Sequence, residues 1–366
     1  LFDYCIVGAG LYGCVMAHGL AEKGKKVLVI DKREHVGGNV ACEVKDGIVI
    51  HKYGAHIFHT DDKRVWDFVN EHCDMRQYTH SPMAYYNGEM YNLPFNMNTF
   101  YKLYGTKTPR ATMEQIESDK VKIQHPRNLE EQAISLVGRR LYHTLIEGYT
   151  EKQWGRRCCD LPASIIKRIP LRMTYDNNYF DDRYQGLPMK SYNELFGKLL
   201  NNENITVELN VDYKQNRAII DALCDKIIYT GAIDEYFDYR YGVLEYRSLE
   251  FHTTKNKGTN KQGVAVINYT GAGLSYTRSI EHRHFMKECH SDVTYMTTEY
   301  PDTWEIGKER YYPINDEKNN ALYAKYKALA DEQDKVEFGG RLGDYKYYDM
   351  DDVIKKALER LDKING

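Results

Sequence analysis

Tryptophan and proline are scarce in this chain of 366 residues, with three Trp, nine Pro and only 11 Phe. Other absences exclude more. No apolar run approaches the ~18 residues that a membrane-spanning helix needs. Lys and Arg total 50 against 53 Asp and Glu, a formal net charge of −3, so the broad basic face of a nucleic-acid binder is missing. Eight cysteines are scattered without a CxxC pair, which argues against a disulfide framework and for free thiols in a reducing cytoplasm. Adjacent Cys158 and Cys159 read as a surface loop. Phe2 to Val7 is apolar but far too short for a secretory h-region. There is no Walker A lysine motif and no Ser-His-Asp arrangement. What the chain has in excess is tyrosine, 32 residues. A core fills more readily with Phe and Leu, because a buried phenol must find a partner. Either many of these rings are half-exposed, or some hydroxyls point at an acceptor.

The start of the chain carries a nucleotide-binding pattern. An apolar run, Phe2 to Val7, breaks at Gly8-Ala9-Gly10-Leu11-Tyr12-Gly13; a helical pattern follows, then a second apolar run that ends at Asp31. Strand, glycine turn, helix, strand and carboxylate form the βαβ unit that holds an adenine dinucleotide. Gly8 makes the tight turn, Gly10 lets backbone approach a pyrophosphate, and Gly13 lets helix pack on strand. The helix N-terminus offers amide donors to the phosphates, and Asp31 stands where the ribose hydroxyls fall. A second glycine pair follows at Gly37-Gly38-Asn39. With Ala17, Leu20, Gly24 and Val27, this is similar to the FAD-binding fingerprint of the amine-oxidase-like flavoproteins, in which Glu is commoner at the position of Asp31. FAD is therefore the expected cofactor, held by Gly8, Gly10, Leu11, Gly13, Asp31, Lys32, Gly38 and Asn39.

The rest of the chain alternates in character. Residues 85 to 95 read as a hairpin turning at Asn87-Gly88, and from about 96 to 178 the pattern is helical. There Asn128 and Glu131 make a capping pair, and Leu129, Ala133, Val137, Leu141 and Leu145 predict one helix with one buried face. Residues 205 to 211 and 226 to 233 return to strands, and 243 to 300 suggest antiparallel sheet. The end reads as strand, glycine loop and amphipathic helix. The expected fold is α/β, a discontinuous Rossmann-like FAD-binding domain (1–78, 179–236 and 333–366) with a helical insert (95–178, including a mobile substrate loop) and an antiparallel-sheet insert (79–94 and 237–332).

Two arginine-bearing segments stand out, Arg168 with Arg172 and Tyr179, and Arg278. A guanidinium fork suits a diphosphate, and Tyr311-Tyr312 and Tyr345 to Tyr348 could complete such a site. His56 and His59, with His51 nearby, lack the third ligand a metal needs. Taken in order, YGAHIFHT, YNLPFNMNTF, GYTEKQWG, RMTYDNNYF, YTRSIEHRHF, YYPIND and GGRLGDYKYYDMD resemble the bacterial UDP-galactopyranose mutase family along essentially the entire chain.

The resemblance implies interconversion of UDP-galactopyranose and UDP-galactofuranose, with N5 of reduced FAD attacking the anomeric carbon as UDP departs. It implies Arg168 and Arg278 at the diphosphate and His56 and His59 beside the flavin. Tyr179, Tyr312 and Tyr347 would bond the phosphates, and Tyr149 would stack on uracil with Thr150 beside it. Trp154 would lie near the sugar on a mobile loop, and Gly340, Arg341, Asp349 and Met350 would wrap the FAD and the sugar end. It also implies a cytoplasmic homodimer and an electron donor, as yet unidentified, that reduces the flavin. Lys346 stands where an arginine is frequent. His59 favours the plain sugar over N-acetylated UDP-galactose, which some relatives use; an FAD-dependent oxidoreductase of the amine-oxidase-like fold is the other alternative.

Overall fold

The computed structural model describes residues 1–364. Val27–Asp31 is buried at four of its five positions, as a strand covered on both faces must be. It lies second in a parallel sheet of five, in the order Ile205–Leu209, Val27–Asp31, Phe2–Val7, Cys224–Tyr229, Val336–Phe338. Three stretches far apart in sequence thus build one nucleotide-type sheet, and the expected α/β architecture is borne out. The helices Leu11–Glu22 and Met350–Lys363 pack together beside it, with Leu361 filling the space over Gly19.

A second sheet has seven strands, in the order Tyr312–Pro313, Tyr246–Lys257, Val293–Thr303, Arg278–Glu281, Val266–Tyr269, Met83–Tyr86, Glu89–Asn92. All its pairings are antiparallel except that of Val266–Tyr269 with Met83–Tyr86. Asn87 and Gly88, at φ 47° and 89°, make the two-residue turn that both positive dihedrals require. Among the described residues no helix is long and apolar enough to cross a membrane.

The helical region between these sheets departs from expectation. Leu129, Ala133, Val137, Leu141 and Leu145 are all buried, but they do not share one helix. Gly138, at φ +85°, ends the helix Leu129–Val137 where Asp119 leaves no room for a side chain. The chain resumes at Arg139 and passes through a π-helical stretch, Tyr142–Ile146, before the helix Glu147–Trp154. Asn128 does cap, accepting from Glu131 N–H at 2.9 Å, but the Glu131 carboxylate accepts from Arg127 N–H instead of returning to Asn128. Cys158 is fully buried in the helical core, not on a surface loop. The expected glycine loop near the end is a helical turn, Gly340–Gly343.

Several tyrosines are tied to backbone. The Tyr326 hydroxyl donates to the Gly242 carbonyl at 2.6 Å and accepts from Tyr241 N–H at 3.0 Å. The Tyr345 hydroxyl lies 2.6 Å from the Glu245 carbonyl, and both rings are buried. Tyr326→Phe should therefore lower stability by about 1–3 kcal/mol, the usual loss when buried backbone groups are left unpaired. Urea unfolding reads this as a lower midpoint; an unshifted midpoint would show the hydroxyl to be idle.

Candidate active site

Ligands of open α/β sheets settle beyond the carboxyl ends of the strands. Here a cavity of about 1030 Å³ opens there, bounded by Val7, Ile30 and Tyr229 on one side and by Val266, Asn268 and Arg278 of the seven-stranded sheet on the other. That volume is at the upper end of what one drug-sized ligand occupies.

The first half of the cavity is a cradle of backbone. Gly8 stands at φ +109°, and a Cβ there would lie 2.1 Å from Thr230 Oγ1; at Gly13 it would lie 2.0 Å from the Gly8 carbonyl. Gly10 caps the helix Leu11–Glu22 with no side-chain acceptor, so the first-turn amides remain free for an anion. Gly38 passes so close that its Cβ would be 3.0 Å from Gly10 Cα. Asp31 accepts from Ala9 N–H at 2.8 Å and Arg33 N–H at 2.9 Å, one on each oxygen, and each oxygen keeps a lone pair for a hydroxyl. Leu11, Lys32 and Asn39 also line this half. Arg33, which sequence reasoning passed over, lies 4.8 Å over the Tyr53 ring and bonds Asn39 and Glu309 at 3.0 and 2.6 Å. These groups fit a dinucleotide: amides for a pyrophosphate, a carboxylate for ribose, and glycines wherever a side chain would intrude.

The other half is polar sheet surface. Asn268, Arg278, Glu299 and Phe251 are register partners in one row across four strands. Arg278 Nη2 donates to the Tyr149 hydroxyl at 2.9 Å, and Nη1 lies 3.6 Å from the Glu299 carboxylate, which is 2% exposed. Burial opposes the charge, but Glu299, Tyr149 and Tyr312 hold the guanidinium pKa well above its ordinary value. Arg278 Nε, Glu299 Oε1 and Asn268 Oδ1 are buried without a hydrogen-bond partner among the described residues. Orphaned polar atoms lining a cavity are what a polar ligand would satisfy. Tyr312 and Tyr347 stand 5.6 Å apart in this half, and Tyr179 and Arg168 are exposed at its mouth. Arg341 lies under the Tyr347 ring and donates to the Tyr311 carbonyl. Gly340, Asp349 and Met350 also line the cavity; Asp349 caps the helix Met350–Lys363, and burial raises its pKa.

Three expected residues are not on the cavity wall. Tyr149 reaches it only through Arg278, while Thr150 and Trp154 do not line it. Trp154 closes the helix Glu147–Trp154 against the helical core, with Gly155 at φ +66° as its cap. Arg172 braces the chain by donating to the Tyr179 carbonyl at 3.0 Å and pairing with Asp181 at 2.9 Å.

The histidines form the floor. His56 Nδ1 lies 2.8 Å from the Gly54 carbonyl. His59 stacks on Phe180 at 3.8 Å with Nδ1 3.0 Å from Asp182. His80, absent from the sequence reading, also stacks on Phe180 at 5.7 Å. Nothing in its local sequence singles it out. Glu299 did leave a signal, since strand alternation puts it on one face with buried Thr297.

Burial pushes the His56 pKa down to about 4 and those of His80 and His282 to about 3, and holds His51 well below its usual value. These rings are neutral when folded and titrate near 6.5 once unfolded. Below that pH the unfolded chain binds more protons, so stability complete above 6.5 is lost as pH falls towards 3, by up to about 1.4 kcal/mol per ring per pH unit. Urea midpoints should fall steadily between about pH 7 and 5; level midpoints would contradict neutral burial.

A Rossmann-type sheet whose glycine turn opens onto an arginine-bearing second sheet defines a nucleotide-binding α/β protein with one two-part cavity. Comparisons with known proteins narrow the class. The family model described as UDP-galactopyranose mutase matches residues 144–347, and that of the NAD(P)-binding Rossmann-like domain matches 6–72. The chain is 38% identical to the dTDP-fucopyranose mutase of Escherichia coli, across 97% of this chain and 96% of that one. It is 37% identical to a Klebsiella pneumoniae protein named "Probable UDP-galactopyranose mutase", across 98% and 93%. A crystal structure of reduced UDP-galactopyranose mutase shares the fold, with a TM-score of 0.75 at 14% identity over 100% of this chain and 96% of that one. The chain belongs to the UDP-galactopyranose mutase family, and is an isomerase by that membership.

Proposed function

We propose that this enzyme interconverts UDP-galactopyranose and UDP-galactofuranose in the cytoplasm, with FAD in the glycine-lined half of the cavity. The observation that carries the reading is the continuity of that cradle with the Arg278 compartment: a cofactor and a nucleotide sugar can meet in one open cavity. Gly8, Gly10, Leu11, Gly13, Lys32, Gly38 and Asn39 would hold the FAD pyrophosphate end, and Asp31 its ribose. When bound and reduced, FAD would supply a nucleophilic nitrogen for the anomeric carbon of the sugar.

The chain's own residues bind, orient and neutralise. Arg278 is fixed by Tyr149 and Glu299, and its free Nε offers a donor to the diphosphate. Arg168, exposed at the mouth, brings a second guanidinium. Tyr179, Tyr312 and Tyr347 add donors without adding charge. Together they stabilise the negative charge on departing UDP, an electrostatic task for which removing one donor loses roughly 10²–10³ in rate. His56, its ring held neutral, and His59, oriented by Asp182, face the flavin end. Gly340, Arg341, Asp349 and Met350 close that end. Thr150 and Trp154 belong to the substrate side through the helix they share with Tyr149. A homodimer and a separate electron donor are part of the same reading.

The 38% identical relative is named for a different base and a different sugar, so the assay must offer more than one substrate. Dithionite-reduced, FAD-loaded enzyme should convert UDP-galactofuranose to the pyranose form under anaerobic conditions, followed by chromatography, and the oxidised enzyme should not. Conversion of dTDP-fucose or the N-acetylated UDP-sugar in its place would keep the reaction and change the substrate. No interconversion of any of them would sink the proposal. Arg168→Ala should keep FAD and lose at least roughly 100-fold in turnover. Gly10→Val should lose the flavin itself, because a side chain there meets the pyrophosphate.

A further inference from the structure

Tyr149 bonds Arg278 from a helix of only eight residues, Glu147–Trp154, that follows directly on the π-helical stretch Tyr142–Ile146. So short a helix is not held by its own backbone bonds; its docking decides where it sits. The surface it docks on is the segment linking the strands Val266–Tyr269 and Arg278–Glu281. The Thr270 hydroxyl donates to the Thr144 carbonyl at 2.7 Å. Gly148 approaches so closely that a Cβ would lie 2.4 Å from the Thr270 carbonyl oxygen. Lys152 Nζ donates to the carbonyls of Tyr269, Gly271 and Tyr276 at 2.7, 3.0 and 3.0 Å.

The lysine contact is unusual in kind. An ammonium carries three donors, and here all three are met by backbone carbonyls. Burial pushes its pKa down to about 8. Its acceptors bracket the link: Tyr269 ends one strand, and Tyr276 stands two residues before Arg278. Tyr149 lies three residues before Lys152, within one helical turn. The lysine therefore closes a small frame whose other side is the Tyr149–Arg278 hydrogen bond.

We infer that Lys152 is a positioning residue, which sets the Tyr149 hydroxyl against Arg278 and thereby tunes the affinity of the enzyme for the diphosphate of its nucleotide sugar. The inference rests on the proposed role of Arg278 as the diphosphate contact. It assigns Lys152 no contact with substrate.

Calorimetric titration of UDP into oxidised, FAD-loaded enzyme tests it. Lys152→Met keeps the stem and removes the donors; UDP should bind about tenfold more weakly, the scale of coupling between neighbouring groups. Flavin content and the flavin spectrum should not change. Tyr149→Phe supplies the readout that a merely structural lysine would not move. If Lys152 acts through that hydroxyl, adding Lys152→Met to Tyr149→Phe should weaken UDP less than twofold further. Wild-type affinity in Lys152→Met, or fully additive losses in the double variant, would overturn the inference. If Lys152→Met gives no flavin-loaded protein, Lys152→Arg takes its place, since it keeps the charge but cannot converge three donors from one nitrogen; it too should weaken UDP with flavin retained. If neither variant retains flavin, the lysine is structural and the inference falls. Failure of the wild-type enzyme to bind UDP would instead remove the reading of the site.

Discussion

A guanidinium set into the inner face of a sheet needs a counter-charge, and Glu299 supplies it for Arg278. The pairing is incomplete. At 3.6 Å it exceeds a hydrogen bond, and among the described residues both Arg278 Nε and Glu299 Oε1 remain without partners. Glu299 is buried and the Arg278 side chain is 27% exposed; ion pairs return little net stability at the surface or in the interior, so stability does not explain this one. A charge held in place yet only partly satisfied is what a further polar group, such as the proposed diphosphate, would complete. The register that puts Arg278 opposite both Asn268 and Glu299 fixes which way the seven-stranded sheet must face, and with it the position of the cavity.

Holding that arginine involves the helical region as well. Arg247, from the strand Tyr246–Lys257, donates to the Gln153 carbonyl at 2.9 Å and to Thr303 at 3.1 Å. Its guanidinium also lies against Gly155, the cap of the helix that bears Tyr149. Sheet and helix therefore exchange cations: Lys152 donates to three backbone carbonyls of the sheet side, and Arg247 donates to one carbonyl of the helix, Gln153, and to the Thr303 hydroxyl of its own sheet. Trp154, next to these contacts, packs against the helical core.

The nucleotide-binding glycine turn and its carboxylate were legible in the sequence because their parts are local. Gly8, Gly10, Gly13 and Asp31 act at fixed spacings within one βαβ unit, and the spacing is itself the signal. The second compartment was legible in its arginines and tyrosines only through family resemblance, since Arg278, Glu299 and Tyr149 meet by tertiary pairing that no local pattern encodes. His80 and Arg33 joined the site for the same reason. Elsewhere periodicity named the right buried residues and missed the break at Gly138, because a positive φ beside Asp119 is set by a neighbouring helix. The tyrosine excess has a partial explanation. Tyr326 and Tyr345 spend their hydroxyls on loop carbonyls inside the core, a structural use that composition could not separate from binding.

The central claim is that Arg278 is held by Glu299 for a ligand and not for the fold. A charge-balanced double variant, Arg278→Met with Glu299→Gln, tests it without leaving a lone buried charge. The account predicts that the variant, once loaded with FAD, retains it and its unfolding midpoint while UDP affinity, read by calorimetry, falls by about 100-fold, as loss of a charged contact to the ligand does. Wild-type affinity for UDP in a flavin-loaded double variant would contradict it.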